Sequence, residues 1–118
     1  MDKRAKKTGN YGEIAAKGFL QAKNYQIITT NYHTPYGEID IIAKSGDCTI
    51  FAEVKYRKST KFGTPAESIT PRKRQNLINA AYIFLEKTNA GDIAYRFDII
   101  EVFGSELLEI NHIENAFF

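Results

Sequence analysis

Two short stretches of this 118-residue chain decide its fold: residues 37–43, GEIDIIA, and residues 51–55, FAEVK. Successive side chains on a β-strand point to opposite faces of a sheet. The two acids of the first stretch therefore share a face, and so do Glu53 and Lys55 of the second. Both strands are apolar on one face and partly apolar on the other, as interior strands are. The face opposite the first pair of acids is predicted to carry Ile39, Ile41 and Ala43.

The turn between the two strands sets their register. The dipeptide Gly46-Asp47 suits a two-residue hairpin turn with glycine first. Counting back from this turn pairs Asp40 with Glu53. Two positions further out, the same register pairs Glu38 with Lys55. Directly opposed side chains have Cβ atoms about 4.5–5.5 Å apart, so the register predicts two carboxylates face to face with a lysine beside them.

Like charges placed opposite each other destabilise a sheet, and three arrangements relieve this. One carboxyl can stay protonated through a raised pKa, Lys55 can compensate the charge, or a divalent cation can bridge the oxygens. Mg²⁺ takes one or two protein carboxylates together with water and phosphate oxygens. It also acidifies bound water, which suits phosphodiester hydrolysis. The simpler alternative is a Glu38–Lys55 ion pair, with Asp40 and Glu53 at a solvated edge.

The rest of the chain predicts the order α-β-β-β-α-β-β, an α/β arrangement with a mixed sheet. The predicted helices span residues 11–24 and 71–87, and the predicted strands span residues 25–33, 38–44, 48–57, 95–102 and 107–113. Asn10 is the expected N-cap of the first helix, and Thr70 caps the second, with Pro71 at its first position. We expect residues 1–10 to form a flexible basic arm and residues 11–118 to form one domain. The buried stripe of the first helix is predicted to contain Ile14, Ala15, Gly18, Phe19 and Ala22.

The bulk composition excludes several classes of protein. The single cysteine, Cys48, cannot form an internal disulfide or a zinc cluster. No apolar run approaches the ~20 residues that cross a membrane, so no membrane partner is expected. No apolar segment of the kind found in signal peptides follows the basic start of the chain. These features predict a cytoplasmic protein.

The charge distribution favours an anionic partner. The formal net charge is only +2, but basic residues are concentrated in the middle of the chain. The first turn of a helix is an unfavourable place for three cations, which favours a phosphate partner there. The alternative is an ordinary solvent-exposed charged face. The residues predicted to contact nucleic-acid phosphates are Arg57, Lys58, Lys61, Arg72, Lys73 and Arg74.

The order of the acids and the lysine resembles a known nuclease motif. Asp40, an apolar stretch and then Glu53-x-Lys55 are similar to the core of the PD-(D/E)XK nuclease superfamily, which includes restriction enzymes and Holliday-junction resolvases. The αβββαβ core of that superfamily matches the predicted element order. The chain resembles the YraN-like family of small bacterial endonuclease-like proteins more closely, through residues 12–13, 37–40, 53–57 and 96–98. The resemblance implies a restriction-endonuclease-like α/β fold, with a mixed central sheet flanked by helices and one extra C-terminal strand.

The resemblance also implies roles for individual residues. Asp40 and Glu53 match the ligands of Mg²⁺ or Mn²⁺, and the backbone carbonyl of Val54 is a further ligand. Lys55 matches the catalytic lysine. Glu13 matches the acid of the first helix that completes the catalytic site in resolvase-like members.

Three functions follow as hypotheses. The first is a metal-dependent endonuclease that binds and hydrolyses DNA, and the second is a non-catalytic nucleic-acid-binding module that retains the nuclease fold. The third is a protein-interaction scaffold that dimerises through the apolar residues 116–118. A resolvase-like reaction needs two active sites, so a homodimer is expected in that case. Asp98 and Gln75 remain open between a structural and a functional role.

Overall fold

The computed structural model describes residues 3–57, 69–88, 93–104 and 107–117, with the backbone alone for residues 3–10. The predicted order of elements is confirmed. The elements are α1 Lys3–Ala22, β1 Gln26–Thr34, β2 Gly37–Ser45, β3 Cys48–Arg57, α2 Pro71–Lys87, β4 Ala94–Phe103 and β5 Glu109–Ile113. Neither of the two helices in these ranges is long and apolar enough to cross a membrane.

The five strands form one mixed sheet in the order β1-β2-β3-β4-β5. Strands β3 and β4 are parallel, and the other neighbouring pairs are antiparallel. A parallel neighbour requires a crossover, and α2 lies in that crossover. The architecture matches a restriction-endonuclease-like αβββαβ core with one extra C-terminal strand, as predicted.

Each face of the sheet carries one apolar core. The first core packs α1 residues such as Ala16 and Leu20 against β2, β3 and β4. The second packs α2 residues such as Leu77 and Phe84 against Phe51 and Phe97 of the sheet. The sheet is therefore covered by helices on both faces, which explains why its central strands are apolar on both sides.

Helix α1 differs from its prediction in two respects. It begins at Lys3, so Asn10 lies inside it rather than at its N-cap. The flexibility expected of residues 1–10 remains a prediction. The buried stripe is also shifted: Ala16 and Leu20 are fully buried, whereas Ile14 is 69% exposed. Positions four residues apart share a helix face, and the face defined by Ala16 and Leu20 is the one that meets the sheet.

Helix α2 matches its prediction. The hydroxyl of Thr70 accepts a hydrogen bond of 3.1 Å from the backbone N–H of Lys73. Pro71 occupies the first turn, where the missing N–H costs nothing. This cap fixes where α2 starts and hence where the basic residues of its first turn lie.

The predicted hairpin register is confirmed from Ser45–Cys48 to Ile41–Ala52. The ladder ends there, one position short of the predicted pairing of Asp40 with Glu53. The reason is that the carboxylate of Asp40 accepts the hydrogen bond of the Val54 N–H at 2.8 Å. A side chain has replaced a backbone carbonyl at the point where the two strands part.

The predicted alternation of β2 also fails at Asp40. Ile41 belongs to the core beneath α1, but Ile39 belongs to the core beneath α2. On neighbouring β1, Asn31 has a left-handed φ of 52°. The residues on either side of Asn31 and Asp40 are paired between β1 and β2, whereas these two residues are not among the pairs. Both strands therefore change phase together at this point.

Candidate metal centre and active site

Asp40 sits at the kink of β2 in a half-buried position. Burial above all, together with the negative charges of Glu53, Glu13 and Glu38, raises the pKa of its carboxyl to about 7, against the lowering effect of the Val54 hydrogen bond. A carboxyl with a pKa near neutrality is typical of a site where charge has been concentrated for a function.

Two more acidic side chains, Glu13 and Glu38, lie close to Asp40. One carboxylate oxygen from each of Glu13, Glu38 and Asp40 lies within 4.8 Å of the other two. Glu13 comes from α1, and the other two come from β2. Burial raises the pKa of Glu13, a hydrogen bond from Asn31 lowers it, and the charges of Glu38 and Glu53 raise it again.

The placement of Glu13 depends on its neighbour Gly12. A Cβ built on Gly12 would lie 3.2 Å from the Cβ of Tyr56 on β3. Such a separation is tighter than ordinary contact, so the glycine allows α1 to approach the sheet closely here. Glu13 is thereby held against the parting strands β2 and β3.

Glu53 is the most buried acid of this site, with 5% of its surface exposed. Its Oε1 is 3.3 Å from the ammonium of Lys73 and 3.7 Å from that of Lys55. Its Oε2 is buried and has no hydrogen-bond partner in the described part of the chain. Leaving a buried carboxylate oxygen unpaired costs free energy, so this atom is a candidate position for a ligand.

The structure therefore brings together four of the predicted site residues: Asp40, Glu53, Lys55 and Glu13. The backbone N–H of Val54 is occupied by Asp40, and the role of its carbonyl as a metal ligand remains a prediction.

The predicted phosphate-binding residues separate into groups. Lys73 contacts Glu53 and so belongs to the acid site. Arg57 pairs with Glu101 at 3.4 Å. Arg72 and Arg74 are exposed in the first turn of α2. Lys58 and Lys61 lie outside the described residues.

Two site residues were not in the predicted set of catalytic or metal-binding residues. Glu38 joins the acid cluster, although the predicted register paired it with Lys55; it contacts His33 at 3.5 Å instead. The sequence feature that could have indicated this role is the position of Glu38, two residues before Asp40 on the same strand. Lys73 was expected only as a phosphate contact, because nothing local in the sequence brings α2 to Glu53. A cavity of about 130 Å³ borders Glu38 and Lys73. It is lined by Tyr36, Gly37, Glu38, Lys73, Asn76 and Leu77.

Asp98 and Gln75 have structural contacts. Asp98 is fully buried and bonds to His112 at 2.7 Å and to Arg96 at 3.0 Å. The side-chain amide of Gln75 donates to Asn79 one helical turn away.

The donor set fits a hard divalent cation. The converging side-chain atoms are carboxylate oxygens, which Mg²⁺ and Mn²⁺ prefer. Asp40, Glu13 and Glu38 supply the converging oxygens for such an ion. Glu53 lies close enough to raise the pKa of Asp40, and its buried Oε2 has no hydrogen-bond partner among the described residues.

The chain matches one protein family over most of its length. The model of the family described as "Uncharacterised protein family UPF0102" matches residues 12–102. A UPF0102 protein of Caldicellulosiruptor saccharolyticus is 44% identical over 120 residues, which cover 99% of this chain and 100% of that protein. A UPF0102 protein of Clostridioides difficile is 46% identical over 114 residues, which cover 95% and 97%. This chain belongs to the UPF0102 family, the YraN-like family that its motifs predicted.

Proposed function

We propose that this chain is a Mg²⁺- or Mn²⁺-dependent endonuclease that binds DNA and hydrolyses its phosphodiester bonds. The observation that carries the proposal is the buried Oε2 of Glu53, which has no hydrogen-bond partner among the described residues and lies close to a group of carboxylates that repel one another. Two lysines reach the other oxygen of Glu53. The acids outnumber these two lysines, and a divalent cation would balance the remaining negative charge.

Asp40, Glu53 and the carbonyl of Val54 would hold the ion. When bound, Mg²⁺ or Mn²⁺ acidifies water and neutralises charge on a phosphate. The hydrogen bond from the Val54 N–H fixes one oxygen of Asp40, so the rotamer of Asp40 is set before any ligand binds. Such preorganisation reduces the cost of assembling a site.

The position of Lys55 supports its assignment as the catalytic lysine. It is 28% exposed, and its ammonium lies 3.7 Å from Glu53, so it can donate both to the metal-binding carboxylate and to a ligand in solvent. We assign it the task of orienting the attacking water or stabilising charge on the phosphate. Lys73 supports the same carboxylate from α2.

The first turn of α2 offers phosphate contacts beside the acid site. Arg72 and Arg74 are exposed there, and Lys73 between them reaches the site itself. The positive end of the α2 macrodipole adds to these charges. The backbone of a nucleic acid would therefore be held next to the carboxylates.

The test is cleavage of plasmid, branched and single-stranded DNA with Mg²⁺ and with Mn²⁺. We expect cleavage by the wild-type protein and a loss of at least about 100-fold in Asp40→Ala and Lys55→Ala. Asp47→Ala and Lys44→Ala are matched controls, because both residues are exposed at the far end of the hairpin.

Equal activity in the site variants and the wild type would reject the assignment of the site. Salt-sensitive binding without cleavage, retained in Asp40→Ala, would instead favour the non-catalytic nucleic-acid-binding module. Failure to bind any nucleic acid at low salt would favour the protein-interaction scaffold.

A further inference from the structure

A second cavity adjoins the acid cluster on the α1 side of the sheet. It has a volume of about 220 Å³ and is lined by Glu13, Ile14, Lys17, Thr30 and Asn31. Glu13 belongs both to this cavity and to the acid cluster, so the two sites share a wall. Pockets for drug-sized ligands are typically about 300–1,000 Å³, and this smaller cavity suits one planar group.

The cavity is lined by an apolar side chain, a positively charged side chain and two polar side chains. Ile14 is 69% exposed and presents an apolar surface, where a solvent-facing helix position normally carries a polar residue. Lys17 is exposed one turn further along α1 and supplies a positive charge. Thr30 and Asn31, on β1, supply a hydroxyl and an amide.

The left-handed backbone of Asn31 is part of this arrangement. Its φ of 52° falls where β1 and β2 change phase, opposite Asp40, and its side chain bonds to Glu13. A non-glycine residue in this region is uncommon and costs free energy. One residue therefore links the shape of the cavity to the position of a site carboxylate.

We propose that this α1–β1 cavity binds the base of an unpaired nucleotide beside the scissile phosphate. The inference rests on the proposed function and narrows its substrate class to single-stranded or locally unpaired nucleic acid. The base lies against Ile14, its polar edge faces Thr30 and Asn31, and Lys17 contacts the adjoining phosphate. A base stacked inside a duplex cannot reach such a cavity without leaving the stack, whereas an unpaired base can.

Binding is measured without turnover in the Asp40→Asn background, by fluorescence anisotropy of a labelled 15-nucleotide single strand and of its duplex. We expect the single strand to bind at least about tenfold more tightly than the duplex. Ile14→Asp and Lys17→Gln should each weaken single-strand binding by about three- to tenfold, with less effect on the duplex. Lys17→Gln should also lower the salt dependence of binding by about one ion. Leu107→Asp and Lys44→Gln are controls, since Leu107 is 87% exposed and Lys44 is exposed at the far end of the hairpin.

Equal affinity for single strand and duplex, or an unchanged affinity in Ile14→Asp, would overturn the inference. Metal-dependent cleavage that requires Asp40 and Lys55 would then still support the proposed function. Conversely, the expected binding pattern without cleavage of any substrate would reject catalysis but retain the cavity as a nucleotide site. A change from dimer to monomer in Ile14→Asp, with nucleic-acid binding intact, would assign this isoleucine to an interface between copies and reject the inference.

Discussion

The carboxylate of Asp40, one residue beyond the last paired position of β2, accepts a 2.8 Å hydrogen bond from the backbone N–H of Val54, two residues beyond the last paired position of β3. The bond holds Asp40 where the strands separate, inside a group of acids. The same residue is thus fixed by one backbone donor and repelled by its neighbours' charges. The free energy of unfolding should therefore depend on whether Asp40 is ionised.

The first prediction is that the metal-free protein loses stability as pH rises from about 4 to about 7. Burial, with neighbouring acids, raises the pKa of folded Asp40 to about 7, whereas an unfolded aspartate titrates near 3.9. The folded state therefore binds more protons in this window, and the free energy of unfolding falls by up to about 1.4 kcal/mol per pH unit from this residue. Urea unfolding in EDTA at a series of pH values would measure this decrease in the free energy of unfolding.

Asp40→Asn supplies the comparison, because an amide oxygen can still accept from the Val54 N–H. We expect the variant to match the wild type near pH 4 and to exceed it in stability at pH 8. Asp47→Asn, in the exposed turn, should follow the wild type throughout. Parallel curves for wild type and Asp40→Asn would show that Asp40 is not protonated in the folded state.

How much of this site the sequence predicts depends on which forces position each residue. The register from Ser45 to Ile41 follows from the turn at Gly46-Asp47, because a two-residue turn leaves one pairing. The limits of α2 follow from Thr70 and Pro71, which act within a single turn. Interactions between residues close in sequence determine the hairpin register and the start of α2, so both can be predicted from the sequence.

The kink at Asp40 has a different origin. Alternation predicts Ile39 and Ile41 on one face, but they lie in opposite cores. The change coincides with the left-handed Asn31 on a neighbouring strand and with a side chain that takes the place of a backbone acceptor. These features, like the approach of Lys73 to Glu53, involve residues on neighbouring elements, and no spacing within one strand predicts them.

The second prediction concerns Mn²⁺ binding by the proposed centre. A divalent ion needs ionised carboxylates, and Asp40 must lose its proton to bind one. Affinity should therefore rise by up to about tenfold per pH unit below pH 7 and level off above it. Calorimetry in two buffers of different ionisation enthalpy would show the release of about one proton near pH 6. Affinity that does not change with pH would contradict this role for Asp40.

The third prediction separates Glu53 from Glu38. Glu53→Gln keeps the size of the side chain but removes the charge that both lysines contact, and we expect Mn²⁺ binding to fall below detection. Glu38 belongs to the acid cluster, but its side chain is 35% exposed, against 6% for Glu53, so Glu38→Gln should weaken binding by about tenfold. Calorimetry at pH 8 measures both. Glu86→Gln, on the exposed end of α2, is the control, and a larger loss in Glu38→Gln than in Glu53→Gln would reverse the assignment.

The fourth prediction distinguishes the two lysines of the site. Lys55→Met should reduce single-turnover cleavage by at least about 100-fold, because its ammonium has no substitute as donor to the reacting groups. Lys73→Met should reduce it by about tenfold, since Lys55 still neutralises Glu53. Both variants leave the buried Glu53 with one cation fewer, so both should also lower the stability of the metal-free protein. Equal losses of rate with equal losses of stability would indicate that the lysines serve folding alone.

The fifth prediction places Asp98 outside the active site. Although burial acts to raise its pKa, hydrogen bonds from His112, Arg96 and the Asn115 N–H lower it. A depressed pKa stabilises the fold above the unfolded value near 3.9, and this stabilisation is lost as pH falls below it. Asp98→Ala leaves Arg96 without its buried partner, which typically costs about 3–5 kcal/mol.

Thermal unfolding at pH 7 would measure that cost. Mn²⁺ affinity, measured at a temperature where Asp98→Ala remains folded, should equal that of the wild type, because neither Asp98 nor its partners belong to the acid cluster. If Asp98→Ala instead bound Mn²⁺ at least tenfold more weakly while keeping its stability, Asp98 would have to act on the metal centre, and the separation of the buried Arg96–Asp98–His112 group from the active site would be wrong.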